Sequence, residues 1–362
     1  LAVFNYENTQ RHEGYYPLFL GQEPSVHDSI NVSYPQIFQL YKKLKSIDWD
    51  ENEVDLQQSR FDFENCSKNQ YEVMIRTLSY QWELDSIASR SIAPLLAPFI
   101  SNSEYWAAIS YVSQNEVLHS LTYSEIGRQC FKNPEVLFAE VEKKEVTERG
   151  YDFGTVFKDL EQLGAKYNLG LVDKNDPIVK ETIAKTLIAL YALEGISFMS
   201  SFACTFALAQ QDLFLGVAKL VQKIMIDEAV HVQLDKTVID ILKNDPEWRN
   251  VFESLKDWSK SYIDKIVHRE LTWNKSLFDE GRSLIGLNCT LLDEWVLWSA
   301  KPLYLDLGIK SDYDFPAVNP LPWMDDWMNI DSYQVAAQET TVTNYVLNAT
   351  RDDLGDEELD FI

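Results

Sequence analysis

Two short units in this chain repeat one piece of chemistry: Glu116-Val-Leu-His119 and Glu228-Ala-Val-His231 each place a carboxylate and an imidazole three residues apart. On a helix that spacing puts both groups on one face. Ile109, Val112, Glu116, His119, Tyr123 and Ile126 follow one another at steps of 3, 4, 3, 4 and 3, so the first unit interrupts an apolar stripe. Ile224, Glu228, His231, Leu234 and Val238 form the second stripe. Upstream of each lies one more carboxylate in an apolar face. Asp85 follows Ile75, Leu78 and Trp82, and Glu194 sits in the run TLIALYALEGISFMSSFACTFALA, residues 186–209. A lone histidine on such a face is usually a hydrogen-bonded core residue. The ordered repetition, carboxylate, Glu-x-x-His, carboxylate, Glu-x-x-His, is what demands another explanation.

Four carboxylates in one low-dielectric core repel one another and survive only when protonated or bound to cations. Two divalent ions cancel four negative charges. Oxygen-rich sites with one imidazole each suit iron or manganese, whereas a closed structural zinc site favours thiolates. An ion-pair network would need arginine or lysine in the stripes, and they hold none. The set Asp85, Glu116, His119, Glu194, Glu228 and His231 therefore reads as a dinuclear metal site supplied by four helices, the arrangement of ferritin-like bundles.

The rest of the sequence supplies such helices. Apolar residues recur at three-and-four spacing from about 65 to 300, with little glycine or proline, and the expected helices run over 34–46, 66–97, 102–130, 150–167, 178–210, 213–243, 248–280 and 290–302. The expected fold is all-α, a ferritin-like bundle with additional helices, spanning residues 1–335 without an internal linker, followed by a flexible tail over 336–362. With 362 residues, 46% of them hydrophobic, the chain can bury a substantial core. Residues 186–209 imitate a membrane span, but Glu194 at their middle favours a buried helix of a water-soluble protein. The formal charge of -25 argues against nucleic acid and anionic membranes as partners. Cys66, Cys130, Cys204 and Cys289 form no close pair, and no basic-then-apolar leader opens the sequence, so a reducing cytoplasm is expected.

The same residues resemble a known family, the radical-generating small (beta) subunit of class I ribonucleotide reductase. The resemblance runs through PLFLGQ (17–22), WDENEVD (49–55), LDSIASRS (84–91), NEVLHSLTY (115–123), ALEGISFMSSFACTFA (192–207), IDEAVH (226–231), IGLN (285–288), NPLPW (319–323) and QVAAQE (334–339). It implies that Asp85, Glu116 and His119 hold one metal and Glu194, Glu228 and His231 the other. The pair would be iron, with manganese or a manganese–iron pair as the other occupants. The resemblance further implies that the centre activates dioxygen to form a radical on Tyr123, shielded by Phe198, Phe202 and Ile224. Trp49 and Asp227 would link the centre to the radical's exit through one of the two histidines, family position favouring His119. Tyr345, with Glu339 near it, would relay the radical to a large (alpha) subunit that the acidic, apolar-ended tail docks, and the small subunit would be a homodimer. Val112 and Ala88 stand where the best-known members carry tryptophan and glutamine, so the hydrogen bonding around the ligands differs. The alternative is a ferritin-like oxygenase or desaturase acting on an apolar substrate, which would need an open channel and would have no use for Trp49, Tyr345 or the tail.

Overall fold

The computed structural model describes residues 5–9, 16–22 and 25–329. Helices α1 (Pro35–Ser46), α2 (Gln57–Asn65), α3 (Lys68–Leu96), α4 (Ser103–Cys130), α5 (Glu135–Val141) and α6 (Lys144–Asn168) lead to α7 (Pro177–Ala192). A π-helical turn, Leu193–Ser197, joins α7 to α8 (Met199–Ala209), and α9 (Leu215–Asn244), α10 (Pro246–Ser254), α11 (Lys256–Phe278), α12 (Cys289–Leu307) and α13 (Met324–Met328) follow. Among the described residues, strand-like pairing is limited to the isolated bridges Phe19–Ile100 and Leu284–Leu287.

Local chemistry sets the starts of the helices that matter. Ser67 and Gln70 form a reciprocal capping box at α3, the Ser67 N–H donating to Gln70 Oε1 at 2.9 Å. Asn102 caps α4 by accepting from the Tyr105 N–H at 2.8 Å. Asp176 accepts from the Ile178 N–H at 3.1 Å, and Pro177 starts α7 where a missing donor costs nothing. At the other end of α3, Pro94 interrupts the ladder, and the Ala93 N–H donates to Ser113 Oγ of α4 at 2.9 Å.

The start of α9 is fixed by tertiary contacts. Phe214 adopts a left-handed conformation, its N–H donating to Asp62 Oδ2 at 2.8 Å, and the Val217 N–H donates to Ser59 Oγ at 3.3 Å. Gly216 permits this approach to α2, since a Cβ there would lie 2.9 Å from the Asp55 carbonyl oxygen and 3.0 Å from Ser59 Oγ. Gly216→Ala is expected to destabilise the protein by about 1–3 kcal/mol despite alanine's better helix propensity, because a backbone oxygen cannot swing aside. Thermal unfolding checks this; an unchanged or raised midpoint would mean that the α2–α9 contact yields.

The expected helices exist with three instructive differences. The predicted helix over 248–280 is two, α10 and α11, separated at Leu255. Short helices α2, α5 and α13 lie in stretches too brief for periodicity to register. The apolar run around Glu194 is not one continuous α-helix, because the π turn inserts into it. The run Pro177–Ala209 is the described span apolar and long enough to cross a membrane, and 94% of its most apolar window is buried inside the protein, as core helices are.

Candidate metal centre

Four helical segments converge on one buried cluster: α3 supplies Asp85, α4 supplies Glu116 and His119, the π turn supplies Glu194, and α9 supplies Glu228 and His231. None of the six is more than 1% exposed. Ligand-type atoms of Asp85, Glu116, His119 and Glu228 lie within 4.8 Å of one another, and so do those of Glu116, Glu194, Glu228 and His231. Glu116 and Glu228 belong to both groups. His119 Nδ1 is 3.1 Å from Glu228 Oε1 and 3.7 Å from Glu116 Oε2. His231 Nδ1 is 3.1 Å from Glu116 Oε1 and 3.0 Å from Glu228 Oε2. Both imidazoles thus turn Nδ1 inward.

Their outward nitrogens meet different partners. His119 Nε2 is 3.2 Å from Asp227 Oδ2, and the same oxygen accepts from the Trp49 indole N–H at 2.8 Å. His231 Nε2 is 3.5 Å from Asn115 Oδ1. The hydrogen-bonded line from Trp49 through Asp227 thus reaches His119, and the outward nitrogen of His231 faces Asn115 instead. Lys223 of α9 holds Trp49 in place by pairing with Glu53 Oε2 at 2.6 Å while lying 5.6 Å over the indole ring. Trp49 also stacks on His119, with 6.1 Å between ring centres. Such outer partners fix the tautomer and orientation of an imidazole ligand.

The electrostatics show what the cluster lacks. Burial, reinforced by the Glu116 charge, pushes the Asp85 carboxyl well above the carboxylate range. Burial, reinforced by the Glu228 charge, does the same to Glu194. Burial would raise Glu228 too, but hydrogen bonding to Glu194 and the two imidazoles hold it well below the ordinary range. Burial would lower His231, yet Glu228 and Glu116 push it up to about 10. His119 rises likewise against burial, through Asp227, Glu116 and Glu228. Protons thus collect where cations would otherwise balance the acids. Both oxygens of Asp85 and Glu116, Oε2 of Glu194, Oε1 of Glu228 and Nδ1 of His119 still have no well-aligned hydrogen bond. Orphaned buried acceptors converging on one point are costly, and two divalent cations would satisfy them together. The donor set fits a dimetal site.

Tyr123, one turn past His119, is 1% exposed, and its hydroxyl lies beside Asp85 without a well-aligned hydrogen bond. Burial first, then the Asp85 charge, raise its pKa well above that of free tyrosine, so the phenol keeps its proton. Phe198, Phe202 and Ile224 are fully buried, and the two phenyl rings stack at 5.7 Å. The sequence pattern missed Asn115, which faces His231, and Asp235, a buried carboxylate one turn past His231. The spacing 228, 231, 235 carried the signal for Asp235; nothing in the stripe marked Asn115. Tyr345, Glu339 and the acidic tail lie outside the described residues.

The chain is 29% identical to the ribonucleoside-diphosphate reductase subunit beta of Buchnera aphidicola from Schizaphis graminum, covering 94% of this chain and 94% of that one. It is 31% identical to the subunit beta of Haemophilus influenzae, covering 91% of each. Its fold matches the ribonucleotide reductase R2 subunit from Clostridium botulinum with a TM-score of 0.78 at 20% identity, over 91% of this chain and 98% of that one. The family model described as ribonucleotide reductase, small chain, matches residues 27–320. With that match over most of its length and the carboxylate–histidine cluster at its centre, the chain belongs to the ribonucleotide reductase small-chain family.

Proposed function

We propose that the chain performs its family's small-subunit role in a ribonucleoside-diphosphate reductase by holding two metal ions in the buried cluster, keeping a radical on Tyr123 and passing it to a large subunit. The observation that carries this is the pair of overlapping ligand groups sharing Glu116 and Glu228, with a buried tyrosine beside Asp85 one turn past His119. Asp85, Glu116, His119 and Glu228 would hold one ion, and Glu116, Glu194, Glu228 and His231 the other; iron or manganese suits this donor set. When bound, the ions supply the redox chemistry with dioxygen that a protein side chain cannot supply itself.

The chain's own residues do the remainder. The Tyr123 phenol is held protonated, so oxidation removes its electron and proton together and leaves a neutral radical. Its hydroxyl lies beside Asp85, buried and away from water. Phe198, Phe202 and Ile224 keep water out by close packing. Asp227 accepts from Trp49 and faces His119, so an electron moving between Trp49 and the cluster can be accompanied by a short proton shift along that line. Tyr345 would continue the route toward the large subunit, and the tail would dock there.

The test uses full-length protein loaded with ferrous or manganous ion, exposed to dioxygen, and assayed with a ribonucleotide reductase large subunit. A tyrosyl signal in electron paramagnetic resonance and deoxyribonucleotide formation only in the presence of the large subunit are expected. Deleting residues 350–362 is expected to leave the signal intact while abolishing turnover, because docking alone is lost. Unchanged affinity for the large subunit after that deletion would remove the tail from the docking role.

A further inference from the structure

A second charged group lies deep in the core, away from the cluster. Arg149 of α6 is 3% exposed and sits between the rings of Tyr80 (α3) and Trp273 (α11), its guanidinium carbon 3.9 Å from the centre of the Trp273 ring. Its Nε donates to Glu270 Oε1 at 3.0 Å, its Nη2 pairs with Glu270 Oε2, and the Tyr80 hydroxyl donates to Glu270 Oε1 at 3.3 Å. Removing such a pair from water is costly, and apolar residues of similar volume often pack as well, so stability alone is a weak reason for it.

The same Nη2 makes one more bond. It donates to the carbonyl oxygen of Ser197 at 3.4 Å. Ser197 ends the π turn, and Phe198 separates that turn from α8, so this carbonyl sits where the regular helical ladder is interrupted. A buried carbonyl at such a junction needs a donor from elsewhere. The turn is also packed tightly against α12: a Cβ on Gly195 would lie 3.0 Å from Leu303 Cδ1. Glu194 is the second residue of this turn. Glu270 and two aromatic rings hold the guanidinium, which meets the end of the turn at the Ser197 carbonyl.

We propose that Arg149 is a positioning residue for the metal centre: by holding the Ser197 carbonyl it keeps the π turn in the register that aims Glu194 at Glu228 and His231. The proposal rests on the reading of Glu194 as a ligand. A π turn carries one residue more than the α-helix it interrupts, and each residue turns a helix by about 100°, so relaxation toward α geometry would swing the Glu194 side chain off the site.

The test replaces both charges at once, Arg149→Met with Glu270→Leu, so that no unpaired ion is left in the core. Metal-free full-length protein is titrated with manganous ion alone, and free ion is followed by electron paramagnetic resonance, with Glu194→Ala and Asp85→Ala as references for the two positions. The double variant is expected to weaken the ion lost in Glu194→Ala by about 10–100-fold, to leave the other within about threefold, and to melt within a few degrees of the unsubstituted chain. Equal weakening of both ions, or none, overturns the clamp. If Glu194→Ala itself leaves both ions unaffected, the ligand reading falls and the clamp falls with it. Should the double variant fail to fold, Arg149→Lys, which keeps the charge but loses the fork, is expected to weaken the same ion selectively, and an unselective response overturns the proposal.

Discussion

Tyr123→Phe is expected to abolish the tyrosyl signal and to reduce ribonucleotide reduction by on the order of 1000-fold or more, while leaving metal content and thermal stability unchanged. Removing a buried hydroxyl whose approach to Asp85 is not a well-aligned hydrogen bond opens almost no cavity, so folding has little to lose. The ligand set is also retained, because the hydroxyl approaches Asp85, whose carboxylate a bound cation would hold in place of that contact. Electron paramagnetic resonance of the metal-loaded, dioxygen-exposed variant, alongside a reductase assay, measures both effects. Persistent turnover accompanied by a metal-centred signal would show that the oxidising equivalent is stored on the ions and that Tyr123 is packing.

Metal binding is expected to release protons, so that affinity for manganous ion rises roughly tenfold per pH unit for each proton displaced. In the metal-free protein Asp85 and Glu194 have raised pKa values and both imidazoles are raised, His231 to about 10, so the cluster carries protons that a cation must expel. The sign for stability follows from the same shifts. His231 is raised from 6.5 to about 10 on folding, so its contribution is complete below about pH 6.5 and is lost as pH climbs toward 10. The raised Asp85 and Glu194 act in the same direction, since the folded chain holds protons that the unfolded chain has released. Glu228, depressed on folding, loses its contribution only in acid, as pH falls through its lowered value. Metal-free protein should therefore melt at a lower temperature as pH rises from 6 to 9, while manganese-loaded protein should gain relative to it over the same range. Thermal melts with and without metal, together with proton release in a weakly buffered titration, decide the matter. A pH-independent metal-free midpoint with no protons released would mean that the cluster is ionised without cations, and the dimetal reading would fail.

The two Glu-x-x-His units, the two upstream carboxylates and the helical architecture were legible in the sequence because helix periodicity is local. Residues three and four apart share a face whatever surrounds them, so Ile109 through Ile126 announced which side of α4 is inward and that Glu116 and His119 are on it. The energetic penalty on four buried acids then required cations, an argument that needs residue types and burial but no coordinates. Family landmarks added Trp49, Asp227 and Tyr123.

What only the tertiary structure decided depends on contacts between residues far apart in the chain. Periodicity carries no information on which ring nitrogen points inward, on the choice of His119 over His231 as the partner of Asp227, or on Asn115 as the group facing His231. The break of the long apolar run into a π turn at Glu194 was equally hidden: an inserted residue changes the phase of a helix but not its composition, and the run is apolar on every side. Arg149 shows no sign of burial in its local sequence, since its cost is met by Glu270, Tyr80 and Trp273, each a hundred residues or more along the chain except Tyr80. Local sequence determines which faces are buried; long-range packing determines which buried groups meet.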